Sequence, residues 1–177
     1  MKKKVRLYNV IFPPYMLIAL VPWFAVIALV GNFLIDSAVV LVISLIVFKK
    51  IDRKFYKDHV WKAWGFGFLG DICGALFLFI GSRIASSYTI ANGDRSGILY
   101  RILDGWRGAS YLDGHNVYSY VFAAIAIIIS AVAIYLFDRR VAFKNADMTE
   151  KQKTLSALAI AVFTAPYTFL LPYDLFY

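Results

Sequence analysis

The amino-acid sequence predicts an all-α protein: a polytopic integral membrane helical bundle with five transmembrane helices plus a short extracytoplasmic interfacial amphipathic helix. Of the 177 residues, 61% are apolar and 17% are charged, whereas soluble domains have about 45–50% apolar and about 25% charged residues. The apolar residues come in blocks of about twenty, which is the length that one helix needs to cross a bilayer. Basic residues lie between these blocks.

The net charge of +8 is distributed in a way that indicates membrane topology. Of the 19 Lys and Arg residues, four lie in residues 2–6, six in 49–62 and five in 139–153. Five spans would put these segments on one side, and the positive-inside rule makes that side cytoplasmic. We therefore expect a multi-pass protein of the cell (plasma or inner) membrane, with a cytoplasmic N-terminus and an extracytoplasmic C-terminus. Its expected surroundings are the lipid bilayer, with no nucleic-acid partner because no nucleic-acid-binding motif is present.

We predict that residues 1–177 form a single transmembrane domain. Its spans are about 12–30, 33–48, 61–82, 117–137 and 155–171, with an outer loop at 83–116. The first apolar stretch is interrupted by Gly31 and Asn32, so a tight helical hairpin turning near Gly31 to Phe33 is expected. Asn32 would cap the second helix there. Asp36 would lie in its first turn, where the helix dipole favours a carboxylate.

The central span, residues 61–82, carries one acid near its middle, Asp71. On a helix the acid shares a face with small residues, following the i, i+3, i+4, i+7 pattern. The members of this face are Ala63, Gly67, Gly70, Asp71, Gly74, Leu78 and Gly81. Gly70 and Gly74 form a GxxxG pair, which lets another backbone approach closely. We therefore expect this face to point into protein rather than lipid.

The outer loop contains a predicted amphipathic helix. Its apolar face comprises Ile98, Leu99, Ile102, Leu103 and Trp106. Asp94 or Ser96 would cap this helix and Gly108 would end it. The run is too short to span, so we expect it on the outer membrane surface, or folded over the mouth of the bundle as a scaffold or a lid.

The last two spans also have faces of small or hydroxylated residues. In the fourth span this face holds Ser119, Ala123, Ala126, Ser130 and Ala133, and in the fifth it holds Ala157, Ala161, Thr164 and Thr168. Asp138 is expected to end the fourth span on the basic side. Pro166 would break the fifth helix near mid-membrane and leave the Val162 carbonyl without its usual donor, which Thr164 or a neighbouring helix would replace.

Asp71 and Asp36 are the main candidates for an ion, proton or ligand site. Asp71 lies ten residues after Trp61 and Asp36 thirteen before Lys49, which places them ~15 and ~20 Å from the cytoplasmic ends of their spans. An acid at the bilayer centre costs about 2.5 kcal/mol or more, so a function is one explanation for it. The candidate site also includes Asn32, Thr164 and Thr168 as oxygen ligands. The alternative is that Asp71 merely hydrogen-bonds neighbouring helices together.

Three classes of function stay open. The first is a non-catalytic subunit or accessory protein of a membrane assembly, which would bind a membrane protein partner or a second copy of itself through its small faces. The second is a small transporter or an ion- or proton-conducting protein that uses the mid-membrane aspartate. The third is an intramembrane enzyme, although no catalytic motif is present. We predict no cofactor and no metal site, because neither His nor Cys occurs at ligand spacing.

Overall fold

The computed structural model describes residues 22–92, 97–110 and 116–170, and the regular elements within these ranges are all helical. We number five α-helices in chain order and distinguish two short helical turns. The helices are α1 (Pro22–Phe48), α2 (Arg53–Asn92), α3 (Ile98–Gly108), α4 (Val117–Phe137) and α5 (Glu150–Phe163). A π-helical turn (Asp138–Ala142) continues α4, and a 3-10 turn (Tyr167–Leu170) comes after α5.

Four helical stretches are long and apolar enough to cross a membrane. They are Leu29–Phe48, Arg53–Ala91, Val117–Ala142 and Glu150–Leu170. The all-helical prediction is therefore confirmed for the described residues, and these stretches are compatible with a multi-pass membrane protein. The predicted count of five spans has no such support, and residues 12–21 of the first predicted span lie outside the described ranges.

The hairpin predicted at the start of the chain is wrong. Helix α1 continues through Gly31 and Asn32 without a turn, so Asn32 caps no helix and Asp36 lies in mid-helix. A glycine inside a helix costs only about 1 kcal/mol relative to alanine. Interrupting the helix in a bilayer would instead leave several backbone groups unpaired, each at a cost of several kcal/mol. The continuous helix is therefore the less costly arrangement.

Helix α2 extends beyond residues 61–82 at both ends. At its start, Asp52 Oδ1 accepts hydrogen bonds from the backbone N–H groups of Lys54 (2.9 Å) and Phe55 (3.0 Å). These bonds hold the pKa of the Asp52 carboxyl group below its ordinary value, and the bond from Phe55 has the largest effect. The predicted loop over residues 83–116 is wrong for its first ten residues, because the helix continues to Asn92.

The polar residues at the C-terminal end of α2 do not interrupt the helix because they bond to its own backbone. The hydroxyl group of Ser86 donates to the carbonyl oxygen of Ser82 (2.8 Å), and that of Thr89 donates to the carbonyl oxygen of Ala85 (3.0 Å). Such i−4 bonds satisfy hydroxyl groups within a helix. The polar residues of 83–92 suggested a loop in the sequence, but their hydroxyl groups are compatible with a helix.

Glycines of α2 bring its backbone into close contact with α4. A Cβ atom at Gly74 would lie 2.7 Å from the carbonyl oxygen of Ala126, and one at Gly70 would lie 3.1 Å from that of Ser130. The facing side chains of α4, including Ala123, Ala126 and Ser130, are buried. Any side chain at either glycine would push the two backbones apart, so the GxxxG pair is used within this chain.

Helix α3 is held against the bundle by Trp106. Its ring stacks on Phe122 with centroids 4.9 Å apart, lies 5.0 Å from the ring of Phe77, and covers Gly81. Ile98, at the other end of α3, is 72% exposed. The helix ends at Gly108 as predicted, and its placement on a membrane surface stays a prediction.

The N-cap predicted for α3 is wrong. The N-cap position is occupied by Gly97, which makes no side-chain capping bond. Asp94 and Ser96 lie outside the described residues.

The fifth predicted span is interrupted near Pro166, as expected, but the helix already ends three residues before the proline. Helix α5 begins with a capping box between Thr149 and Gln152 and ends at Phe163, and the chain resumes a helical path only at Tyr167. The Val162 carbonyl accepts a hydrogen bond from the Tyr167 hydroxyl group (2.6 Å), whereas Thr164 or a neighbouring helix was the predicted donor. Thr164 instead donates to the Ile160 carbonyl (2.9 Å).

Candidate functional site

A cavity of about 200 Å³ lies between α1, α2 and the chain that follows α5. Its lining combines polar groups with aromatic and aliphatic side chains. The lining residues are Asn32, Ile35, Asp36, Gly67, Phe68, Asp71, Phe163, Thr164, Ala165, Pro166, Tyr167 and Thr168. Because these residues come from three separate stretches, the cavity forms only when the bundle is assembled.

All five residues that the sequence singled out as site candidates line this one cavity. Asn32 and Asp36 come from α1, where they are one helical turn apart. Asp71 comes from α2, and Thr164 and Thr168 flank Pro166 in the interrupted segment. The structure therefore brings the set together, while the role of these residues as ligands stays a prediction.

Asp36 is the most enclosed polar group of the cavity. The residue is 2% exposed, and its Oδ1 atom has no hydrogen-bond partner among the described residues. Its Oδ2 atom lies 3.5 Å from the position that a Cβ atom at Gly67 would take. The Thr164 hydroxyl group lies beside the same carboxyl group. Gly67 and the Asp36 carboxyl group are therefore direct neighbours where α1 meets α2.

Asp71 lies one helical turn after Gly67 and faces the same cavity. Its Oδ1 atom is buried and has no hydrogen-bond partner in the described part of the chain. The carboxyl groups of Asp71 and Asp36 are close enough to interact electrostatically. Two carboxylates would repel each other in this low-dielectric site, which favours a proton or a cation on one of them.

The cavity contains no basic residue to neutralise the pair. Among the described residues that line it there is no lysine, arginine or histidine. The remaining polar groups are the amide of Asn32, the hydroxyl groups of Thr164 and Thr168, and the phenol of Tyr167. Oxygen atoms of this kind are the ligands that hard cations prefer.

The interrupted end of α5 adds to the negative potential of the cavity. The helix stops at Phe163, and the cavity is lined by the residues on either side of that end. The C-terminal end of a helix carries a partial negative charge, which favours a nearby cation. In transporters, such half-helix ends and unwound backbone carbonyls coordinate ions at mid-membrane.

Among the described residues, no group of three or more His, Cys, Asp or Glu side chains is placed so that it could hold a metal ion. Transition metals are usually bound by imidazole or thiolate groups. The cavity offers carboxylate and neutral oxygen atoms instead. Its chemistry suits protons and small hard cations of low charge.

Sequence reasoning missed Asp138, a third buried acid. Asp138 begins the π-helical turn, is fully buried, and has no hydrogen-bond partner for either carboxylate oxygen among the described residues. It is close enough to Asp36 to interact electrostatically. Its neighbours Arg139 and Arg140 made it look like an interfacial residue. The signal that could have found it is its spacing of four and eight residues from Ile134 and Ser130, on the buried face of α4.

Comparisons with known proteins do not assign the chain to a group. No protein-family model, no curated protein and no solved structure matches it.

Proposed function

We propose that this chain is a small multi-pass membrane protein that binds a small monovalent cation, a proton or an alkali ion, in the Asp36–Asp71 cavity and passes it across the membrane. The observation that carries this proposal is the environment of the Asp36 carboxyl group. It is 2% exposed, has an unpartnered oxygen atom and shares its cavity with a second acid but no base.

The cost of two acids at this depth supports a functional role. Asp36 lies twelve residues before the end of α1 at Phe48, and Thr164 lies fourteen residues after the start of α5 at Glu150. These separations place the cavity ~18–21 Å from the helix ends at Phe48 and Glu150. A charged residue at the centre of a bilayer costs about 2.5–3.5 kcal/mol. The Thr164 hydroxyl group beside Asp36 offsets part of this cost, but Asp36 Oδ1 and Asp71 Oδ1 make no hydrogen bond with the described residues.

The size of the cavity favours a small ligand. Its volume of about 200 Å³ is below the ~300–1,000 Å³ of typical organic-ligand pockets. A proton or an alkali ion with one or two waters fits this space, whereas a peptide or a lipid headgroup does not. The same limit disfavours the intramembrane enzyme that the sequence left open.

The accessory-subunit hypothesis has less support. It depended on small-residue faces free to receive a partner, and Gly70 and Gly74 instead pack on α4 while Gly81 packs on Trp106. The remaining exposed apolar side chains are what lipid contact requires. Assembly with another membrane protein or a second copy stays a prediction without a specific observation behind it.

The proposed orientation follows the basic residues. The connector between α1 and α2 and the one between α4 and α5, together with the first turns of the helices that follow them, lie within residues 49–62 and 139–153, which carry eleven of the fifteen lysines and arginines outside the N-terminal segment. We therefore place both connectors on the cytoplasmic side of the cell membrane. Ions would enter the cavity from one side and leave on the other.

Two measurements test the proposal, namely the cation dependence of the melting temperature and the proton flux. The purified protein in mild detergent is melted in LiCl, NaCl, KCl or choline chloride, and the reconstituted protein is assayed for proton flux with an enclosed pH-sensitive dye. We expect either an alkali ion to raise the melting temperature above that in choline, as mass action requires, or a potential-driven proton flux. Asp36→Asn and Asp71→Asn should each abolish the response.

The matched control is Asp147→Asn, which neutralises an exposed acid outside the cavity. This variant should respond like the wild type. Absence of both responses in the wild-type protein would overturn the proposal. So would a full response in Asp36→Asn and Asp71→Asn.

A further inference from the structure

The two basic connectors lie at the same end of the helical bundle. Phe55, near the start of α2, and Phe143, in the connector after α4, have nearly parallel rings with centroids 6.2 Å apart. Both rings belong to one buried apolar cluster. The segments that carry them, residues 49–62 and 139–153, contain eleven lysines and arginines but four aspartates and glutamates. Packing therefore gathers most of the positive charge of the chain at this end.

Most of these basic side chains have no acidic partner. Glu150 is paired with Arg139 (3.5 Å) and Lys153 (3.2 Å), and Asp52 accepts backbone N–H groups at the start of α2. The other basic side chains of the two segments are exposed and form no ion pair with the described residues. They are Lys49, Lys50, Arg53, Lys54, Lys57, Lys62, Arg140, Lys144 and Lys151. Unpaired charge of one sign favours an anionic partner.

One exposed side of α2 carries charged, aromatic and aliphatic groups in the order in which a phospholipid presents its own parts. Lys54, Lys57 and Trp61 follow one another at spacings of three and four residues, so they share a side of the helix. Exposed apolar side chains continue this side at helical spacing toward the middle of α2. They are Leu69, Ile72, Leu76 and Phe79. We call these seven residues the outer row of α2.

The distances along the outer row match the depths of a lipid molecule in a bilayer. Trp61 is 61% exposed, and exposed tryptophans are typical of the membrane–water interface. Lys57 and Lys54 lie four and seven residues before it, which is ~6 and ~11 Å along the helix. The headgroup layer is about 5–8 Å thick, and the flexible lysine side chains extend along apolar surface to reach it. The apolar residues of the row begin ~12 Å beyond Trp61, within the hydrocarbon core.

The charge beside the row favours an anionic headgroup over a zwitterionic one. Asp58 is exposed next to Lys57, and Lys54 and Lys62 lie one helical turn before and after it. These four residues have a net charge of +2. The phosphate of an anionic phospholipid is attracted to this charge, whereas a choline headgroup would bring its own cation close to the lysines.

We propose that the outer row of α2 binds one anionic phospholipid, with its phosphate group between Lys54 and Lys57 and an acyl chain along the aliphatic residues of the row. Trp61 contacts the glycerol backbone between these two parts. A lysine near an anionic membrane surface strengthens the interaction about fivefold. The inference is independent of the Asp36–Asp71 cavity, because no residue of the outer row lines it.

Quenching of tryptophan fluorescence by brominated lipids tests this proposal, since bromine quenches an indole ring that it contacts. The whole protein is reconstituted into phosphatidylcholine vesicles that contain a minority of brominated phosphatidylglycerol or of brominated phosphatidylcholine. We expect stronger quenching by phosphatidylglycerol. Lys54→Gln combined with Lys57→Gln should lower its relative binding constant about fivefold for each lysine removed. The preference should disappear in about 1 M NaCl, where the Debye length is about 3 Å.

The matched control combines Lys144→Gln with Lys151→Gln, which removes the same charge from exposed residues of the other basic segment. This control should keep the wild-type preference, and both double variants should melt like the wild type because the substituted side chains are exposed. An equal loss in the control would overturn the proposal, since net charge alone would then attract the lipid. A full preference in the Lys54 and Lys57 variant would also overturn it.

Three further results on the wild-type protein would contradict a phospholipid at the outer row. Equal quenching by the two brominated lipids would show that the row does not select an anionic headgroup. Quenching of the Trp61 region by neither lipid would show that protein, such as a second copy of the chain, covers the row. Displacement of brominated phosphatidylglycerol by glycerol 3-phosphate would show that the lysines bind a free phosphate group without an acyl chain.

Discussion

Gly67 of α2 faces the carboxyl group of Asp36 on α1, and a Cβ atom at position 67 would lie 3.5 Å from Asp36 Oδ2. That distance is an ordinary van der Waals contact, so a methyl group fits there. Gly67 and Asp36 both line the cavity, so a longer side chain at position 67 would occupy cavity space beside the Asp36 carboxyl group.

Cation affinity should fall as the side chain introduced at position 67 becomes larger. We expect Gly67→Ala to bind nearly like the wild type, and Gly67→Leu to lose at least tenfold in affinity (~1.4 kcal/mol) because the leucine side chain fills the cavity. Titration of the purified protein with the cation that raises its melting temperature measures this. Gly31→Leu is the matched control, since nothing lies within 4 Å of a Cβ atom at Gly31. Equal binding by Gly67→Leu and Gly31→Leu would show that position 67 does not border the site.

The contact between α2 and α4 should be sensitive to a single methyl group. A Cβ atom at Gly74 would lie 2.7 Å from the Ala126 carbonyl oxygen, whereas one at Gly65 would meet nothing within 4 Å. We expect Gly74→Ala to lower the free energy of unfolding by about 1–3 kcal/mol, as overpacking does. Gly65→Ala should leave it unchanged or raise it by up to about 1 kcal/mol through helix propensity. Thermal melting in one detergent compares them, and equal melting temperatures would argue against the close approach.

Trp106 should stabilise the fold without contributing to the cavity. Its ring stacks on Phe122 and covers Gly81, so Trp106→Ala should cost about 3–5 kcal/mol, as expected for a large aromatic side chain. Ile98→Ala, at a residue 72% exposed on the same helix, should cost little. Cation affinity should be unchanged in the fraction of Trp106→Ala that folds. A lost affinity with unchanged melting temperature would instead indicate that α3 acts as a lid over the cavity.

Acid should loosen the start of α2. The backbone bonds from Phe55 and Lys54 lower the pKa of the Asp52 carboxyl group. A depressed folded pKa contributes stability that is present above the unfolded value of ~3.9 and is lost as the pH falls through the folded value. We expect the hydrogen-exchange protection of these two amides to drop over that window in the wild type.

The same measurement on two variants isolates the carboxyl group. Asp52→Asn keeps an acceptor oxygen but cannot titrate, so its protection should not change in that window. Asp58→Asn, which neutralises an exposed acid one turn into the helix, should retain the wild-type profile. A wild-type profile in Asp52→Asn would assign the pH dependence to another group.

The sequence was most informative where its periodicity was long and uninterrupted. The face of α2 from Ala63 to Gly81 could be predicted because helical spacing places one acid among small residues, and the structure buries most of that face. The grouping of Asp36 with Asp71 followed from similar distances to the basic connectors. These inferences need only helix geometry and the thickness of a bilayer.

The errors came from local signals that the tertiary structure or the bilayer overrides. Gly31 and Asn32 resemble a turn, but a continuous α1 keeps its backbone bonds. Pro166 indicated an interruption of the last span, yet the helix already ends at Phe163 and the Tyr167 hydroxyl group satisfies Val162. Asp138 was overlooked because two arginines follow it, although it lies four and eight residues after Ile134 and Ser130 on the face that the structure buries.

Cation affinity in a double-mutant cycle of Asp36 and Asp71 tests the central claim most directly. Because the two carboxyl groups line one cavity, we expect Asp36→Asn and Asp71→Asn each to lose binding, and the double variant to lose no more than either alone. Wild-type affinity in the double variant, with its fold intact by circular dichroism, would contradict a cation site between these two residues.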